Sequence, residues 1–85
     1  MFFTYILFSK SLNKYYCGST DNLERRLQQH NSGYSKSTKG GVPWELEHFE
    51  EFTDRTNAVQ RENEIKKKKS RKYIEAIISK GERPE

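Results

Sequence analysis

The chain has 85 residues, with 16 Lys plus Arg against 12 Asp plus Glu, a formal net charge of +4 and only 32% hydrophobic residues. That length gives one small domain spanning residues 1–85, with a thin core in which a few large rings supply much of the buried area. Cys17 is the single cysteine, which excludes an internal disulfide and a cysteine-rich zinc site. The apolar opening Phe2–Phe8 lacks a basic leader and a small-residue cleavage site, and nothing in the chain is long enough to span a bilayer. A cytoplasmic protein with a polyanionic partner is the expectation.

The elements read, in chain order, as ββαβαα. The run FFTYILF from Phe2 is apolar on both faces, which predicts a central strand covered on both sides. The polar SKSLNK is a turn, and YYCG from Tyr15 returns as an antiparallel partner. Thr20 or Asp21 can cap a helix running to Asn31, with Leu23 and Leu27 on its apolar side and Gly33 past its end. GYSKSTKGGVP reads as a loop. WELEHFEEF is a third strand, with Trp44, Leu46, His48 and Phe52 expected on one face and Phe49 on the other. Asp54 can cap a second helix that carries Ala58, Glu62 and Ile65 at helical spacing. Ser70 can open a third, with Tyr73, Ile74, Ile77 and Ile78 as a buried stripe before Gly81. The expected fold class is α+β: a short three-stranded antiparallel sheet flanked by helices.

The chemically capable residues fall at element ends and on helix faces. Tyr5 and Tyr16 lie on paired strands, Arg26 and His30 are one helical turn apart, and Glu62 sits on the second helix. Gathered at one place, such a set could hydrolyse a phosphodiester, with a carboxylate for Mg²⁺, a cation for the phosphoryl oxygens, and a phenol or imidazole to take a proton from water; spacing alone does not show that they converge. Tyr15 is expected to pack, as are Cys17 and His48, while Glu47, Glu50 and Glu51 are expected to be solvated.

Four segments in order carry a resemblance: Phe3-Thr4-Tyr5-Ile6, then Tyr16-Cys17-Gly18, then Asn22-Leu23-x-x-Arg26-Leu27-x-x-His30, then Arg61-Glu62-x-x-Ile65-Lys66. Their order and spacing, including the ten-residue step from Tyr16 to Arg26, resemble the GIY-YIG nuclease superfamily, in particular its small stand-alone bacterial branch. The likeness runs from about Phe3 to Lys72. Phe3 and Thr4 depart from the first motif, and Lys67 to Ser70 stand where excision-repair relatives carry Pro and Asn.

The resemblance implies an endonuclease that hydrolyses DNA with one divalent metal ion, Mg²⁺ or Mn²⁺. By position, Glu62 would be the metal ligand and Arg26 would hold the scissile phosphate. Tyr5 would activate water, Tyr16 would orient water or phosphate, and His30 would assist; whether Tyr5 or His30 takes the proton stays open. A non-catalytic nucleic-acid-binding module of the same fold is the alternative. The run from Lys66 to Lys72 is the strongest electrostatic feature. Lys66, Lys67, Lys69 and Arg71, with Lys36 and Lys39 in the loop, are the expected contacts to the DNA backbone. Monomer and homodimer are both open.

Overall fold

The computed structural model describes residues 1–33, 36 and 38–81. The loop expected around Tyr34, Ser35 and Ser37 lies outside the described residues. Phe2–Ser9 (β1), Lys14–Thr20 (β2) and Trp44–Phe52 (β3) form one antiparallel sheet in the order β2-β1-β3. Leu23–Asn31 (α1), Arg55–Lys68 (α2) and Arg71–Lys80 (α3) complete the expected ββαβαα order, with a short 3₁₀ turn at Lys39–Gly41.

The double-sided apolarity of β1 explains its central place, because Thr4, Tyr5, Ile6 and Leu7 are all buried. Alternation then sorts the strands between two cores. Ile6, Cys17 and Tyr15 face α2 and α3, where Ile65, Ile77, Tyr73, Ile74 and Ile78 cover them. Tyr5, Leu7 and Tyr16 face α1, where Leu23 and Leu27 close the other side. The result is three layers, with α1 on one face of the sheet and α2 and α3 on the other. Each fully buried Ile or Leu contributes about 1.5–3 kcal/mol of transfer free energy, so a few such residues carry most of this thin core.

Local signals set the helix ends. Asn22, rather than Thr20 or Asp21, caps α1, its side-chain oxygen accepting the Arg25 amide at 2.9 Å. Thr20 is occupied instead with the Asn22 amide, at 3.2 Å, and Asp21 with the Arg25 guanidinium, at 2.6 Å. Asp54 and Ser70 cap α2 and α3 as their sequence positions suggest. Gly81 ends α3 with φ +61°, a conformation that suits glycine.

Two expectations for β3 are corrected. The register shifts between Ile6↔His48 and Leu7↔Leu46, so Glu47 is an extra residue in the ladder. The bulge puts Trp44 on the α1 face with Phe49, and His48 on the α2 face, whereas strict alternation grouped Trp44 with His48. Glu50 is not solvated: it is 7% exposed. Its two oxygens accept from Arg61 Nε at 2.9 Å and Nη2 at 3.1 Å, and His48 Nε2 lies 2.9 Å away. The carboxylate of Glu50 holds the Arg61 guanidinium firmly charged, against the burial that opposes its charge. The pair ties α2 to β3, while the Thr4 hydroxyl, donating to the Ala58 carbonyl at 2.6 Å, ties α2 to β1.

Removing one member of so buried a pair leaves the other charge uncompensated. Glu50→Ala is therefore expected to cost about 3 kcal/mol of folding stability, measured by urea unfolding. An unchanged urea midpoint would contradict this role for Glu50.

Candidate functional site at the edge of β2

The site begins with a glycine. Tyr5 on β1 lies directly across from Gly18 on β2, and its ring occupies the space a side chain there would fill. A Cβ placed on Gly18 would come 2.5 Å from the Tyr5 hydroxyl oxygen and 2.7 Å from Cζ. The phenol can thus lie across the β2 backbone and carry its hydroxyl toward the edge of the sheet. Glycine in a strand interior often marks such a close approach.

Behind the phenol stands His30, wholly buried at the end of α1. Its Nε2 is 2.9 Å from the Tyr5 hydroxyl and its Nδ1 is 2.8 Å from Thr38 Oγ1. Burial, reinforced by the charge of Arg26, pushes the imidazole down to a pKa of about 4, so the ring is neutral at pH 7. Burial likewise pushes Tyr5 up to about 12, despite the opposing pull of Arg26. Tyr5 is therefore a phenol at neutral pH, and a neutral His30 Nε2 is placed to accept its hydrogen bond.

Arg26, one turn before His30 on α1, reaches the same place. Its guanidinium interacts with the hydroxyls of both Tyr5 and Tyr16, which hold it protonated, and Nη1 donates to Gln29 Oε1 at 2.9 Å. Tyr16 packs edge-on against His30 with ring centroids 5.1 Å apart, and against Trp44 at 6.2 Å. Four of the residues singled out from the sequence, Tyr5, Tyr16, Arg26 and His30, thus converge on one face of the sheet.

Glu62 approaches from the other face. Its Oε1 accepts a hydrogen bond from Ser19 at 2.7 Å, and its Oε2 accepts one from Lys66 at 2.5 Å. Because β2 is an edge strand, the two faces meet around it. The Lys66 ammonium lies 5.8 Å from the Tyr16 ring centroid, and the charge of Glu62 is felt at Tyr5. Glu62 also helps burial push the Cys17 thiol up to about 12, which leaves Cys17 an inert core residue. Ser19 was missed in the sequence, although alternation from Tyr15 and Cys17 assigns it to the α2 face, where Glu62 lies.

The carboxylate of Glu62 is 17% exposed and already pairs with a cation, so its surroundings suit a positive ion. Among the described residues no three His, Cys, Asp or Glu side chains gather as a metal cage. A Mg²⁺ ion at Glu62 would take most of its oxygen ligands from water and a substrate phosphate.

The basic residues differ in their surroundings. Lys66 is engaged with Glu62, and Lys67 and Lys69 are exposed on the α2–α3 junction. Lys36 and Lys39 are exposed near the end of α1. Arg71 clamps the β1–β2 turn: it donates to the Asn13 carbonyl at 2.8 Å and to Asn13 Oδ1 at 2.9 Å, and lies over the Tyr15 ring at 5.2 Å.

Residues 1–74 match the family model described as the GIY-YIG catalytic domain. A UPF0213 protein of Clostridium perfringens is 39% identical over 82 residues, covering 95% of this chain and 87% of that one. UPF0213 proteins of Natronomonas pharaonis and Haloquadratum walsbyi are each 48% identical over 52 residues, 60% of this chain. These alignments span 61% and 58% of the two relatives' own lengths. The solution NMR structure of a UPF0213 protein from Bacillus halodurans shares the fold with a TM-score of 0.58 at 34% identity, covering 95% of this chain and 87% of that one.

Two predictions test this geometry. Gly18→Ala forces a methyl group into the Tyr5 phenol, so a loss of about 1–3 kcal/mol is expected in urea unfolding, with the Tyr5 ring resonances displaced. An unperturbed Tyr5 spectrum would refute the close approach. His30 binds a proton in the native state only near pH 4, whereas a histidine in the unfolded chain does so near 6.5. Between these values the unfolded chain holds more protons, so stability falls as pH drops from about 6.5 toward 4, by up to roughly 3 kcal/mol. His30→Gln should flatten that part of the profile; an unchanged slope would show that His30 titrates normally.

Proposed function

The chain belongs to the GIY-YIG family, and from that premise we propose that it is an endonuclease that hydrolyses DNA phosphodiester bonds. The observation that supports this best is the convergence of two phenols, a guanidinium and a carboxylate around one exposed strand edge. The guanidinium of Arg26, placed by α1 beside Tyr5 and Tyr16, binds a non-bridging phosphate oxygen and offsets the charge that builds there. Water is held against the two hydroxyls. The proton leaves that water through the Tyr5 hydroxyl, which His30 Nε2 holds and orients from 2.9 Å. The Thr38 contact at Nδ1 fixes the ring of His30 in that position.

Glu62, steadied by Ser19, is the residue that would hold Mg²⁺ or Mn²⁺ once Lys66 moves aside. Such an ion, when bound, neutralises charge on the phosphoryl oxygens and on the leaving group. Lys67, Lys69, Lys36 and Lys39 contact the backbone of DNA without reading its bases, and Arg71 contributes while anchoring the turn. Sequence preference is therefore low, and the likeness to the family, not any feature of the site, suggests branched or damaged DNA, as met in repair or recombination, as the substrate to test. One observation favours a binding module without catalysis: the Lys66 ammonium occupies the carboxylate a metal ion requires.

Supercoiled plasmid and a four-way junction, each with Mg²⁺ or Mn²⁺, separate the two readings. Nicking is expected, abolished by EDTA and by Glu62→Ala, and reduced about a hundred- to a thousandfold by Arg26→Ala. Binding without cleavage under every metal tested would establish the non-catalytic module instead.

A further inference from the structure

A second basic groove adjoins the site, on the side away from the lysine run. It has a volume of about 360 Å³ and runs between the start of α1 and the first turns of α2. Among the described residues three guanidinium groups line it, those of Arg25, Arg26 and Arg55, with Asp21 as the one acidic residue along its wall. Arg26 belongs to the candidate site, and Ser19, which also lines the groove, bonds Glu62. The groove is therefore continuous with the place where a phosphate would be cut.

Two of its cations are held in position by their neighbours. Arg25 pairs with Asp21 at 2.6 Å, and the Arg55 guanidinium lies over the Phe2 ring at 5.2 Å from its centroid. Phe2, Ala58 and Val59 give the groove an apolar side, with Val59 36% exposed. Cations along one wall and apolar surface along another match the parts of a nucleotide: phosphate for the first, sugar and base edge for the second. A volume of about 360 Å³ is on the scale of a single nucleotide unit.

Resting on the nuclease reading above, we propose that this groove binds the nucleotide flanking the scissile phosphate, with Arg25 and Arg55 holding its backbone phosphate. The substrate strand then crosses the β2 edge from the lysine side, where Lys14, Lys66 and Lys69 line a second groove, to the arginine side. Positive charge on both sides fixes the strand across Arg26, so that one phosphate is presented to the site. Arg55 lies outside the lysine run and outside the four segments that resemble the family.

The test measures binding of a fluorescein-labelled oligothymidylate by anisotropy, with EDTA present so that no cleavage intervenes. The Arg25→Gln/Arg55→Gln variant is compared with Lys10→Gln/Lys80→Gln, which removes the same charge from other surfaces. Thermal melting of each variant checks folding. The arginine pair should weaken binding about tenfold or more and lower the slope of log affinity against log salt by about 0.7, the loss of one phosphate contact. The lysine pair should do neither, and Arg25→Lys/Arg55→Lys should restore part of the affinity. Equal losses in the two Gln pairs would overturn the groove while leaving a general nucleic-acid surface. Wild-type protein that binds neither this oligonucleotide nor a duplex would remove both the groove and the nuclease reading. Arginine-dependent binding without any nicking would support the groove and count against catalysis alone.

Discussion

The site depends on one close approach: the ring of Tyr5 lying across the backbone of Gly18. That contact lets a residue of the central, buried strand carry its hydroxyl toward the rim of the sheet, beside Arg26 and Tyr16. It also explains the pairing of a tyrosine on β1 with a glycine on β2, since any side chain at Gly18 would meet the phenol. His30 then fits behind the hydroxyl, and its complete burial keeps it neutral. Arg26 closes the group from one turn earlier on the same helix. A low-dielectric backing with one exposed cationic edge suits the recognition of a phosphate.

The second half of the site depends on how α2 is held. Glu62 is neighbour to Arg61, and Arg61 is fixed by two hydrogen bonds to the buried Glu50. Thr4 fixes the preceding turn through the Ala58 carbonyl. With α2 anchored in the turn that leads into Glu62, the carboxylate is presented at the β2 edge and meets Ser19 there. The two halves thus belong to opposite faces of one sheet, and only an edge strand allows them to approach each other. The basic surfaces continue this arrangement, with lysines beyond Tyr16 on one side and arginines beyond Arg26 on the other.

Much of this was legible in the sequence because local chemistry dictated it. The double-sided apolarity of FFTYILF placed β1 in the middle, and Asp54, Ser70 and Gly81 marked helix ends. The resemblance supplied the five candidate site residues, and four of them meet on one sheet face, with Glu62 brought around the edge. What escaped was non-local. Glu50 looks like its exposed neighbours Glu47 and Glu51, and only the bulge at Glu47 and the presence of Arg61 on α2 explain its burial. Ser19 lay beyond the expected end of β2, and its partner is 43 residues away. Arg55 carried no motif at all; its meaning lies in the groove that tertiary packing builds around it.

The most direct test of a single site wrapped around the β2 edge is paramagnetic broadening of NMR resonances by Mn²⁺ in the presence of a short DNA oligonucleotide. The account predicts that substoichiometric Mn²⁺ broadens Ser19 and Glu62 together with Tyr16, Gly18 and Arg26, on both faces of the sheet. Broadening confined to α2, with Tyr16 and Arg26 sharp, would contradict it.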